Sequence, residues 1–211
     1  MNRDTIYSSA VLDLDKPAVV MLPQTQGRYM SMQVISQDHY AYAVSKPGRY
    51  TIDQAKVGSR YAYLIVRTFI DANSAEDIAA ANRLQDAFRI EGGGKGKLEI
   101  PDWNREQMLT ARDALNTLAK LGMSTSHAFG MKDEVDPIEH FVGTAVGWGG
   151  LPEKYAFYIM GSLKENDGRP YAVTLKGGPC RCVLVHYRLR CRRTQQLPAS
   201  LEGMELCHPS V

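Results

Sequence analysis

PAVVMLPQTQGRYMSMQVISQDHYAYAV, Pro17–Val44, holds three short runs rich in β-branched, aromatic and methionine residues, divided by QTQG and SQD. Connections that short cannot carry the crossover of a dozen or so residues that parallel strands need, so the runs read as antiparallel strands. TIYSSAVLDL (5–14), GRYTI (48–52) and RYAYLIVRTFI (60–70) extend the pattern on both sides, with DLDKP and SKPG as further turns. Side chains alternate along a strand, so Arg28, Met30, Met32 and Val34 share one face, and Tyr29, Ser31, Gln33 and Ile35 the other. The first of these faces is mostly apolar. Tyr40 and Tyr42 alternate with alanines, which sets aromatic area beside small residues.

The period changes after Ala72. In NSAEDIAAANRLQDAFRI, Ser74 is an N-cap with Asp77 three residues on, Ile78, Leu84 and Phe88 supply an apolar stripe, and EGGG ends the helix. A second helix is expected over Gln107–Lys120, with Met108, Ala111, Leu115 and Leu118 on one side. A third is expected over Pro137–Val146, with Ile138, Phe141, Val142 and Ala145 on one face. YAVTLKG (171–177) reads as a later strand. Strands, helices and strands again make an α+β chain.

The chain has 211 residues and a net charge of +2, ordinary values for a soluble globular protein. Its four cysteines, Cys180, Cys182, Cys191 and Cys207, all follow Pro179, and beyond that residue five arginines face two glutamates. The basic bias therefore belongs to the tail. The tail lacks the interleaved aromatics of a nucleic-acid platform, and no apolar run is long enough to span a membrane. EGGGKGK lacks the GxxxxGK[ST] spacing of a phosphate loop, so no nucleotide cofactor is expected, and the segment reads as a flexible connector.

Asn2, Asp4, Thr5, Tyr7 and Ser8, followed by Asp13 and Leu14, then by Gly27, Arg28, Tyr29 and Ser31, form an ordered series. The chain resembles, on these residues and on VGSRYAYLIVRTFID, LQDAF, WGGLPEKYAFYI and NDGRPYAVTLKG, bacterial proteins that join a DUF1254 domain to a DUF1214 domain, a family of unknown function. The resemblance runs through most of residues 2–179. It implies an antiparallel β-sandwich-like N-terminal domain over 1–100, a helical connector over 101–147, and the start of a second β-domain, of jelly-roll type, over 148–179.

Where such proteins continue with VDAFWSITVYDA, this chain has CRCVLVHYRLRC, Cys180–Cys191. Those residues can be encoded so that reading one base later spells the family segment in full. TGT CGA TGC GTT CTG GTC, for example, becomes GTC GAT GCG TTC TGG TCC. Residues 180–211 are accordingly expected to be a frameshifted tail, which leaves the second domain incomplete. CRC with His186 is then no metal site. Asn2 lies inside the family motif, so a preceding segment is expected too. The compartment reads as cytoplasmic as written, and as periplasmic or secreted if that segment carried a signal.

Three functions compete. A soluble scaffold is favoured, an enzyme on a small or lipid-like substrate at the domain junction comes second, and a ligand-binding or homo-oligomer-forming module third. An enzyme would use Asp4 as acid or base, with Tyr7 or Arg28 holding an anion. A ligand cleft would draw on Asn2, Tyr29, Tyr40, Tyr42 and Trp148, since tyrosine joins an apolar ring to a polar handle. Asp136 and His140, four residues apart on a helix, read as a surface or capping pair, and Trp148 between glycines reads as a joint between domains.

Overall fold

Six strands form where the front of the sequence places them: β1 (Thr5–Asp13), β2 (Ala18–Leu22), β3 (Met30–Ser36), β4 (Ala41–Val44), β5 (Gly48–Ile52) and β6 (Tyr61–Phe69), with the single turn α1 (Gln54–Val57) before β6. The structure is a computed structural model and describes residues 4–121, 126–162 and 200–205. Later elements are α2 (Ala75–Ala87), β7 (Arg89–Gly92), α3 (Arg105–Ala119), α4 (Pro137–Val146), β8 (Phe157–Ser162) and β9 (Ser200–Glu205). The fold is α+β.

The chain divides into two compact units, Met1–Leu151 and Pro152–Val211. In the first, β1-β6-β3-β4 form one sheet, here sheet A, and β5-β2-β7 form a second, sheet B, with antiparallel pairing throughout. Leu12, Met30, Met32, Val34, Leu64 and Val66 of sheet A meet Val20, Leu22 and Ile52 of sheet B in one apolar cluster. In the second unit β8 pairs antiparallel with β9, from Phe157 opposite Glu205 to Ser162 opposite Ser200. The expected strand at 171–177 and all four cysteines lie outside the described residues.

α2 begins as its sequence dictates, with the Ser74 hydroxyl accepting from the Asp77 N–H. Its small Ala81 is fully buried, and Leu84 and Phe88 pack on the core. The helix ends before FRI, however, and Arg89–Gly92 pair with β2 instead. All four of these residues are exposed. Such an edge strand is held by backbone bonds and leaves no apolar alternation to read.

The EGGGKGK segment, expected to be flexible, is pinned. The Gly94 N–H donates to Asp13 O at 2.7 Å, the Tyr61 hydroxyl donates to Lys97 O at 2.9 Å, and the Glu99 N–H returns to that hydroxyl at 3.0 Å. Arg60 forks onto the Asp13 carboxylate at 3.1 and 3.2 Å, against which Gly94 and Gly96 leave no room for a side chain.

Of the apolar faces of the last two helices, only Val142 is buried. No residue of α3 is buried, its apolar stripe included. In α4 the buried residues are His140, Val142 and Gly143, while Ile138 and Phe141 are 66% and 62% exposed. Two contacts override hydrophobicity in α4. The His140 ring nitrogens reach Ala128 O at 2.8 Å and Asp38 O at 3.0 Å, and a Cβ at Gly143 would stand 2.5 Å from the Ala128 Cβ. Gly143→Ala should therefore cost about 1–3 kcal/mol through overpacking, against under about 0.5 kcal/mol for Phe141→Ala. Denaturant unfolding of the two variants measures the difference, and equal costs would refute this orientation of the helix.

Candidate functional site

The two central strands of sheet A are buried on both sides. All seven residues of β3 are buried, polar ones included, and β6 is buried except at Tyr63 and Phe69. The face turned away from sheet B carries a polar row set by register: Tyr7 on β1 lies opposite Arg67 on β6, which lies opposite Ser31 on β3. Gln33 follows on the same face and is fully buried.

Arg67, 6% exposed, donates from Nη1 to the Gln33 side-chain oxygen at 2.8 Å and makes a long contact from Nη2 to Gly149 O at 3.4 Å. Its Nε is buried and has no hydrogen-bond partner among the described residues. The guanidinium lies over the Tyr7 ring, 5.8 Å from the centroid, within cation–π range. Beside it the half-buried Tyr29 phenol is pushed up by burial and pulled back by the Ser31 hydroxyl and the Arg67 charge.

Residues 126–151 form a strap over part of this face. Gln33 donates its side-chain amide to Gly150 O at 2.8 Å, and the Gly149 N–H donates to His39 Nε2 at 2.7 Å. Gly149 has φ +79°, and a Cβ at Gly150 would meet the Phe129 ring at 2.4 Å, so the glycine pair allows the close approach. His39 itself sits at φ +67° in the β3–β4 turn, and the Ala41 N–H donates to Gly130 O at 2.8 Å, which covers part of the outer strand β4. The result is one connected polar layer: His39, Gly149, Arg67, Gln33, Gly150.

The candidates from sequence separate. Tyr7 and Tyr29 come together on Arg67. Arg28 lies elsewhere, donating to both Asp77 carboxylate oxygens and to Phe69 O, and it holds the Asp77 carboxyl down at about 2. Asp4 accepts from the Thr5 hydroxyl at 3.1 Å, and its carbonyl accepts from the Ile70 N–H. Tyr40 stacks on His140 with centroids 4.7 Å apart. Tyr42 packs against the core between the sheets, where burial pushes its phenol up to about 12. Trp148, 62% exposed, stands edge-on to His39 and Tyr63. Asn2 lies outside the described residues.

Asp136 caps α4 by accepting from the Ile138 and Glu139 N–H groups, while His140 is buried against backbone carbonyls rather than paired with it. Arg67 and Gln33 carry the site without having been singled out in the sequence. The available signal was Arg67 itself, a charge in the middle of the apolar run LIVRTFI. Among the described residues no group of three or more His, Cys, Asp or Glu side chains could hold a metal, and no helix is long and apolar enough to cross a membrane. An open depression of about 560 Å³ along the start of α3, lined by Asn104, Glu106, Gln107, Thr110 and Ala111, is separate from the polar row.

Residues 1–92 match the family model described as "Protein of unknown function (DUF1254)". The fold is similar to the crystal structure of the VPA0106 protein from Vibrio parahaemolyticus, with a TM-score of 0.60 at 19% identity over 76% of this chain. The chain spans 60% of the length of that protein. No curated protein matches the sequence.

Burial lowers the His39 pKa to about 4, with its own backbone carbonyl opposing that and His140 adding to it. The folded state keeps this ring neutral while the unfolded chain takes up a proton near 6.5. The stabilisation is complete above about pH 6.5 and is lost as pH falls towards 4, by about 3 kcal/mol at most. His39→Asn, which tolerates the positive φ, should flatten that part of the stability–pH curve. Unfolding of both proteins from pH 7 to pH 4 checks this, and parallel curves would refute it.

Proposed function

We propose that the DUF1254 domain of this chain is a ligand-binding module, and that a small molecule binds on the outer face of sheet A over Tyr7, Tyr29, Ser31 and Arg67. The carrying observation is that the Arg67 guanidinium lies over the Tyr7 ring, opposite Ser31 and near enough to Tyr29 to act on its phenol, in a largely buried row that stays open at Tyr7, which is 43% exposed. Binding sites combine apolar walls with a few placed polar groups, and phenols, hydroxyls and amides fix a ligand's orientation. An enzyme at Asp4 is the weaker reading, because the Asp4 carboxylate accepts from Thr5 at the start of β1. The test is a thermal-shift screen of neutral, cationic and anionic fragments. Compounds that stabilise the protein should lose at least tenfold in affinity in Tyr7→Ala. The proposal fails if nothing binds, or if every hit binds Tyr7→Ala equally well.

We further infer that residues 180–211 are read one base out of frame, and that the natural chain continues through VDAFWSITVYDA into a second, jelly-roll domain. The sandwich-like arrangement of the front domain is supported by the apolar cluster shared between sheets A and B. The frame inference rests on agreement with the family segment over twelve successive residues, Cys180–Cys191. Sequencing both strands of the gene around codon 180 should reveal one surplus base and a longer frame behind it. A confirmed sequence without it would end the inference.

A further inference from the structure

We infer that the ligand of this face is an anion, and that its carboxylate or phosphate group is held by the Arg67 guanidinium. The inference rests on the reading that a small molecule binds over Tyr7 and Tyr29, and it adds the chemical class.

The argument begins with unbalanced charge. A buried cation costs several kcal/mol unless an opposite charge or a full set of acceptors compensates it. Other arginines of this unit are compensated: Arg28 faces Asp77, Arg49 faces Glu91, and Arg60 faces Asp13 and Glu99. Arg67 is more buried than any of these, yet its partners among the described residues are a neutral amide oxygen and a carbonyl at long range. A guanidinium offers five N–H donors. Nε is left buried and without a partner among the described residues.

The surroundings suit an anion. A carboxylate or phosphate accepts paired bonds from an arginine fork, and these are the strong, short ones. The Ser31 hydroxyl lies opposite Arg67 in the strand register, and the Tyr29 phenol stands beside it. Gln33 is committed on both sides, accepting from Arg67 and donating to Gly150 O, so it fixes the guanidinium plane. Tyr7 belongs to β1, an outer strand of sheet A, and at 43% exposed it marks the side on which this row meets solvent.

The test is an NMR titration of the 211-residue chain, following the arginine Nε–H signals, with acetate, inorganic phosphate and, as neutral control, acetamide. Sodium chloride holds the ionic strength constant. Arg67 Nε–H should shift saturably with acetate or phosphate and not with acetamide. The stronger of the two anions identifies the group as carboxylate or phosphate. Arg67→Gln should weaken binding at least tenfold, and Arg67→Lys, which keeps the charge but loses the fork, should weaken it by a smaller factor. Should Arg67→Gln fail to fold, the wild-type titration decides alone. Equal shifts at Arg28, Arg49 and Arg60 would overturn the inference as general ionic contact. Neutral fragments that bind in a Tyr7-dependent way, with neither anion moving Arg67, would overturn the anion and leave the binding reading intact. If nothing binds at all, both readings fall.

Discussion

The central strand of sheet A must be closed on both of its faces, and the two closures differ in kind. Towards sheet B, Ala62, Leu64 and Val66 of β6 meet an apolar partner surface, so closure is driven by water leaving hydrocarbon. Towards the strap, β6 and β3 present Arg67, Ser31 and Gln33, for which dry burial is unfavourable unless partners are supplied. The strap meets that condition in part with main chain: Gly150 O accepts from Gln33 and Gly149 O lies at long range from Arg67, while Ser31 Oγ and Arg67 Nε have no partner among the described residues. The position of residues 126–151 is therefore dictated by the polar side of β3 and β6.

That difference explains what the sequence reveals. The strands of the front region are legible because one face of each pays its way in hydrophobic burial and turns punctuate them; PAVVMLP and RYMSMQVI show it most plainly. β7 is not legible, since four exposed residues are recruited by the free edge of β2 and carry no pattern of their own. α4 shows the opposite case: its apolar positions share one face, but a histidine with two carbonyl partners and a glycine against Ala128 decide its rotation. Hydrophobic periodicity reports the transfer free energy of side chains. It is blind to an orientation chosen by hydrogen bonds and close approach.

The candidate site was half legible for the same reason. Tyr7 and Tyr29 stand out by type and by their place in the family motif, but Arg28, their neighbour in that motif, faces the other way and ties α2 to β3 through Asp77. Strand alternation alone separates Arg28 from Tyr29. The residue that joins the two tyrosines comes from β6, more than thirty positions away in the chain, and only the register of antiparallel pairing brings it there. Register between distant strands is fixed by the whole sheet and cannot be read from any one of them.

The polar layer also couples parts that the sequence keeps apart. His39 holds the Gly149 N–H, Gly149 O faces Arg67, Arg67 holds Gln33, and Gln33 holds Gly150 O. Each link leaves the next with fewer free orientations, so the guanidinium is held in place before any ligand arrives. Preorganisation of that kind lowers the cost of binding, since a fixed side chain loses little rotamer freedom when contacts form. It also carries a standing penalty, because Nε stays buried without a bond. A fold that needed Arg67 only for structure would do better with an apolar side chain there, as replacements of buried ion pairs by hydrocarbon show. The charge is understandable when it faces something that the described residues do not provide.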